Sequence, residues 1–282
     1  MIYILLSIFC SVIVSVMLKL ARRYSIDVKQ AITWNYSIAM LLTWIVYRPQ
    51  LNGLEQAPWS IYISLGILLP LIFWAIAASV EHTGIVRTDV AQRLSLFIPL
   101  TAAFLLFGEN LSPVKSIGIV LGFVAIAFSI PTGSKQQKSS SSWFYPLVVF
   151  AGMGIIDVLF KQIALFKGVS YTSSLFVVYA LAFVVSLLLL AYLFMSKASK
   201  FSWINMLCGW ILGIFNFGNI LFYLKAHQAE AARPSLVFTA MNIGVIALGS
   251  LVGLLIFKEK LSLLNKLAIV VAVAAILVIS FA

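Results

Sequence analysis

Asp157 and Lys161 stand four residues apart inside a run, 144–165, that is otherwise largely apolar. On a helix that spacing puts both side chains on one face, where they can pair. A charge within hydrocarbon costs about 2.5–3.5 kcal/mol on insertion scales, so it normally faces a partner or a cavity. Two chemistries fit the pair. One is a structural ion pair that holds helices together. The other is a site for a solute or a proton, because burial penalises a carboxylate's charged form and lets it exchange its proton. Lys19 occupies the equivalent place in the first apolar run: Ser15-Val16-Met17-Leu18-Lys19 matches Asp157-Val158-Leu159-Phe160-Lys161 in pattern. It either snorkels to the interface or lines the cavity.

Arg93 lies about two turns into another apolar run, beside Gln92. A guanidinium keeps its charge and needs an anion or several carbonyls. A solute carboxylate or phosphate would serve, as would Asp157, Glu81 or Asp89. Asn216, Asn219 and Tyr223 are spaced to share a helix face, with Gly209 and Gly213 permitting close approach one or two turns earlier. Asn242 shares a stripe with Gly249 and Gly253. Trp34, Tyr36 and Trp74 are candidate aromatic walls of a cavity; an interfacial belt or plain packing is the alternative. These residues are the candidate solute site.

Other chemistries lack their residues. His82 and His227 are the only histidines, and both fall at the ends of runs. No His-Glu-x-x-His spacing occurs, and Ser250 has no evident base. Cys10 and Cys208 lie within apolar runs and suggest neither a disulfide framework nor a metal site. No enzyme activity, cofactor or metal is expected. Net charge is +11, but the basic residues lie mostly between apolar runs, without the aromatic interleaving of a nucleic-acid surface. The expected partners are a small-molecule solute and the lipid bilayer, with no nucleic acid, in a monomer or homodimer.

The elements that must hold these residues are membrane helices. Of 282 residues 63% are hydrophobic and 10% charged, and mean hydropathy is +1.10. So few charges cannot cover so much apolar surface in water. About twenty apolar residues span the hydrocarbon as a helix. Ten such runs are present: 2–21, 30–47, 59–80, 87–107, 113–131, 144–165, 171–194, 203–225, 232–257 and 261–281. The polar, Ser-rich stretch 132–143 divides them five and five. The first run begins apolar, with its first cation at Lys19, and reads as a retained helix rather than a signal peptide.

The two halves are related. Phe107-Gly108-Glu109-Asn110-Leu111-Ser112 returns as Phe257-Lys258-Glu259-Lys260-Leu261-Ser262, and Gly118 and Gly122 fall on Ala268 and Ala272. These small residues are expected to pack the fifth helix on the tenth. Glu109 and Glu259 are expected to cap the helix that follows each of them, with Ser112 and Ser262 as N-caps. An odd number of spans per half makes the second copy enter the membrane inverted. The expected fold is therefore all-α and integral to the membrane: ten transmembrane helices as two inverted five-helix repeats, 1–131 and 144–282, joined by 132–143. Twelve Lys and Arg near the odd-numbered connections against six near the even ones favour cytoplasmic odd loops and both termini outside.

Ten helices in two halves, each with a glutamate turn after its fourth helix, resemble the EamA-like family of the drug/metabolite transporter superfamily. The residues that carry the likeness are Pro99 through Ser112 and Gly249 through Ser262. The resemblance implies a secondary transporter of the cytoplasmic (inner) membrane. Its central cavity would be lined by helices 1, 3, 4, 6, 8 and 9, with helices 5 and 10 peripheral and both termini cytoplasmic. Relatives move amino acids, sugars, nucleotide sugars, nucleobases and drugs. Two features depart from the pattern: no proline in the second half matches Pro99, and Arg93 and Asp157 stand within helices. If the cations line the cavity, the solute carries an anionic group, as an amino acid or other carboxylate does. A passive channel and an intramembrane enzyme are the alternatives.

Overall fold

Where apolar residues run for about five turns the backbone must satisfy its own polar groups, and the helix is the local way to do so. The computed structural model follows that rule. It describes residues 1–24, 26–50, 53–83, 85–129, 144–197, 199–255 and 263–281, with Lys19, Arg22, Arg23, Glu81, Ile85, Val86, Arg87, Asp89, Val90, Ser129, Asn265, Ala268 and Ser280 described as backbone only. The 132–143 stretch and the second glutamate turn, Phe257 to Ser262, lie outside the described residues.

The described residues form eleven α-helices and no strand. They are α1 (Ile2–Arg23), α2 (Val28–Tyr47), α3 (Trp59–Thr83), α4 (Ile85–Leu94), α5 (Phe97–Leu105), α6 (Pro113–Ser129), α7 (Phe144–Leu165), α8 (Tyr171–Met195), α9 (Trp203–Ala229), α10 (Pro234–Leu255) and α11 (Leu263–Ser280). By length and composition α3, α7, α8, α9 and α10 can each cross a membrane. The fourth apolar run, expected as one helix, is two. Pro99 has no N–H to give the Ser95 carbonyl, and its ring crowds that turn. The chain tightens there: Leu96 N bonds Arg93 O and Ile98 N bonds Ser95 O. The eighth run extends four residues beyond its expected end at Lys225, to Ala229.

Packing joins the early helices to the late ones. α2 lies on α8 and α9, α3 on α7 and α8, α1 on α9 and α10, α4 and α5 on α7, and α6 on α11. Glycines permit the closest contacts. A Cβ on Gly213 would stand 2.5 Å from the Asn35 carbonyl oxygen, and one on Gly209 would press on the Ala31 backbone. Gly118 is filled by Ile279 of α11, as expected for the fifth and tenth spans, whereas Gly122 meets Ile243 of α10.

The surface is apolar and the interior partly polar, the reverse of a water-soluble fold. Leu41, Ile45, Ile63, Ile67, Leu188 and Ile211 are exposed, while Gln30, Asn35, Lys161, Asn216 and His227 are buried. Two reciprocal ties brace the bundle ends. Asp27 caps α2 and accepts from Ser199 Oγ at 2.6 Å, while Gln30 Nε2 donates to Lys200 O and Gln30 Oε1 accepts from Ser202 N, both at 2.8 Å. Ser170 caps α8; there Ser173 Oγ donates to Gln50 O at 2.8 Å, and Ser174 Oγ and Tyr62 Oη stand 2.6 Å apart.

The glycine contacts generate a paired prediction. Gly213→Ala overpacks the α2–α9 contact at a cost of about 1–3 kcal/mol and lowers the melting temperature by roughly 2–10 °C. Gly249→Ala meets nothing within 4 Å; it leaves the melting temperature unchanged or slightly raised. Thermal unfolding of the two purified variants, followed by intrinsic fluorescence, checks the contrast.

Candidate solute-binding seam

α7 and α9 run against each other, and a few of the polar residues singled out from the sequence meet between them. α9 carries Asn216, Asn219, Tyr223 and His227 along one stripe, of which Tyr223 and His227 reach α7. α7 presents Asp157 and Lys161. Tyr223 Oη donates to Asp157 Oδ1 at 3.0 Å, a bond between the helices. One turn further along α7, Lys161 is fully buried. Its Nζ donates to His227 O at 3.3 Å and to Ala231 O at 3.1 Å, and stands 5.9 Å from the centre of the Phe107 ring. The i, i+4 pairing of Asp157 with Lys161 is therefore replaced by two separate bonds to the α9 side. The physical reason is the end of α9, whose last carbonyls lack helical partners and carry the negative end of the helix dipole.

The turn between α9 and α10 is held from both sides. Lys161 takes its carbonyls, and Glu109 takes the N-terminus of α10. Ser235 N donates to Glu109 Oε2 at 2.8 Å and Ser235 Oγ to Oε1 at 2.5 Å, with Lys115 Nζ 3.0 Å from Oε1. This corrects the expectation that Glu109 caps the next helix. It caps α10, more than a hundred residues on; Ser112 alone caps α6, accepting from Lys115 N at 3.1 Å. Gly108 makes that aim possible, since its φ of +64° turns the chain back after α5. Glu109 is also the charged neighbour that acts on Lys161.

The remaining candidates scatter. Asn216 is buried within the bundle. Asn219 serves α1 instead: Ser7 Oγ lies 2.8 Å from both its backbone and its side-chain oxygen. Asn242 Nδ2 bonds Phe238 O of its own helix at 3.1 Å. Gln92 and Arg93 end α4, half-buried, just before the Pro99 break. Trp34 packs edge-on against Phe201, and Trp74 lies under the Lys29 ammonium. The indole nitrogens of both are buried without a partner. Tyr36 and Tyr179 are each wholly buried, with both hydroxyls unpartnered. Each is the ninth residue of its helix, in α2 and α8. The Lys19 side chain lies outside the described residues.

His227 is the residue that the sequence reading passed over. It is wholly buried, with both ring nitrogens unpartnered, between Tyr223 at 4.6 Å and Phe238 at 4.7 Å, ring centre to ring centre. The signal was present, because His227 continues the 216–219–223 stripe by one turn. Taking Lys225 as the helix end hid it.

Comparison with known proteins agrees with this architecture. The model of the EamA-like transporter family matches residues 1–131. A protein of Haemophilus influenzae, described as uncharacterized, is 44% identical over 280 residues, covering 96% of this chain and 94% of its own. A crystal structure shares the fold, with a TM-score of 0.72 over 99% of this chain and 96% of the other, at 15% identity. The chain is a multi-pass membrane protein and belongs to the EamA-like transporter family.

Proposed function

We propose that the protein is a secondary transporter that moves a small carboxylate-bearing solute by alternating access. Its family is one of small-solute transporters. The observation that carries the reading is the α7–α9 seam: Asp157, Lys161, Tyr223 and His227 gathered inside a bundle whose outer surface is apolar. Polar groups are expensive at that depth and are kept where a solute or ion passes. The buried ammonium of Lys161 favours an anionic group on the solute.

The same reading takes 1–131 and 144–282 as two five-span repeats of opposite orientation in the cytoplasmic membrane, with 132–143 as the linker. The reciprocal ties support it. The α1–α2 corner binds the connection before α9, and the α7–α8 corner binds the connection before α3. Tyr36 and Tyr179 hold the same place in α2 and α8, two helices that pack on each other. A pseudo-twofold axis in the membrane plane relates pairs in this way and lets one bundle rock against the other.

Uptake into proteoliposomes, with a mixture of radiolabelled L-amino acids as the probe, tests the function. Uptake saturates with concentration; flux that rises linearly without saturation fits a passive channel and counts against the reading. In the same assay Tyr223→Phe and Asp157→Asn each lower the initial rate about tenfold or more, the first by removing the bond between the helices and the second by removing the titratable carboxyl that accepts it. Unchanged rates in both variants take the seam out of the mechanism.

A further inference from the structure

Lys161 and His227 share an electrostatic problem. The ammonium has three donors, is wholly buried, and finds two neutral carbonyl acceptors, His227 O and Ala231 O. No carboxylate stands within ion-pair distance of it among the described residues; Glu109 acts on it from further off, its oxygens committed to Ser235 and Lys115. A buried charge is normally paired, since desolvating it costs several kcal/mol. His227 lies beside it, its own carbonyl accepting from the ammonium at 3.3 Å. An imidazole offers at least one N–H, and leaving it buried without an acceptor is costly. One group answers both residues. A carboxylate can accept from Lys161 Nζ with one oxygen and from the imidazole N–H with the other.

The position of the pair shows how such a group would arrive. The α9–α10 turn, whose carbonyls hold Lys161, separates the pair from water. On its other side is a solvent-open mouth of about 400 Å³, lined by Lys167, Ser170, Tyr171, Gln228 and Ala231 among others. Ala231 therefore belongs to both sides: it lines the mouth and accepts from Lys161. The buried cation and the open mouth therefore meet at the same residue.

We infer that Lys161 and His227 form a carboxylate subsite at this end of the seam, and that the α9–α10 turn is its lid. The carboxylate of a solute takes the ammonium from the two carbonyls of the turn, so that binding there and release of the lid are one exchange of acceptors. The inference rests on the transport reading and deepens it, by assigning the chemical group recognised and the residues that recognise it.

The test is ligand-induced stabilisation of the purified full-length protein. Acetate, L-lactate, L-alanine and L-glutamate are each compared with the corresponding primary amide at matched ionic strength. A ligand that binds the folded form raises its melting temperature. At least one acid stabilises the protein and its amide does not. Lys161→Met and His227→Leu each weaken that acid's binding about tenfold or more, as loss of a hydrogen bond to a charged group does. His227→Gln keeps a donor and binds within a few-fold of the parent, which covers the case in which His227→Leu does not fold. If no acid exceeds its amide, or if His227→Leu binds the acid as the parent does, the subsite is overturned. The transport reading fails separately. Saturable uptake with no acid preference leaves transport standing without this subsite; acid binding that depends on both residues, with no saturable uptake, leaves the subsite without transport.

Discussion

A single buried ammonium sets the terms for one end of this molecule. Lys161 sits beyond reach of water on α7 and is held by the carbonyls of the α9–α10 turn. The bonds are directed by the chain itself. The end of α9 offers carbonyl oxygens with no helical partner, and the dipole of that helix favours a cation there. The start of α10 offers N–H groups, and Glu109 accepts from Ser235 N. Cation on one helix end and carboxylate on the next fix the turn between α7 on one side and the α5–α6 connection on the other. The two holding charges also attract each other, which makes the turn a closed electrostatic unit.

The rest of the seam follows from that anchorage. With the end of α9 fixed, Tyr223 is brought to Asp157 and His227 is enclosed between Tyr223 and Phe238. Gly209 and Gly213 let the other end of α9 lie directly on the α2 backbone. The helix is therefore tight against α2 at one end and polar against α7 at the other. The Pro99 break gives the fourth span a joint at the level of α7, where Ser95 O and Ile98 press on Gly154. The absence of a matching proline in α10 makes the two halves mechanically unequal.

Much of this architecture was legible because it rests on local quantities. Apolar run length gives the helices, and the Ser112 cap and the small residues of the fifth and tenth spans are short-range patterns. Tertiary choice decided the rest. The spacing of Asp157 and Lys161 puts them on one face but does not say which neighbour each takes, and each bonds the α9 side instead. Glu109 was recognised as a cap, yet the helix it caps is brought to it by the fold and not by sequence order. His227 was hidden by a boundary drawn at a charge, although an aromatic-rich helix end can bury the residue beyond it: Lys225 lies over the rings of Tyr3 and Tyr47, and α9 continues past it.

The most direct measurement of the central claim, that Lys161 holds the α9–α10 turn closed, is hydrogen exchange by mass spectrometry on the parent and on Lys161→Met. The account predicts that amides of residues 228–238 exchange about tenfold or more faster in the variant, as expected when a charge-assisted tie is lost, while those of α6 and α11 keep the parent rate. Unchanged exchange through 228–238 in a folded Lys161→Met protein would contradict it.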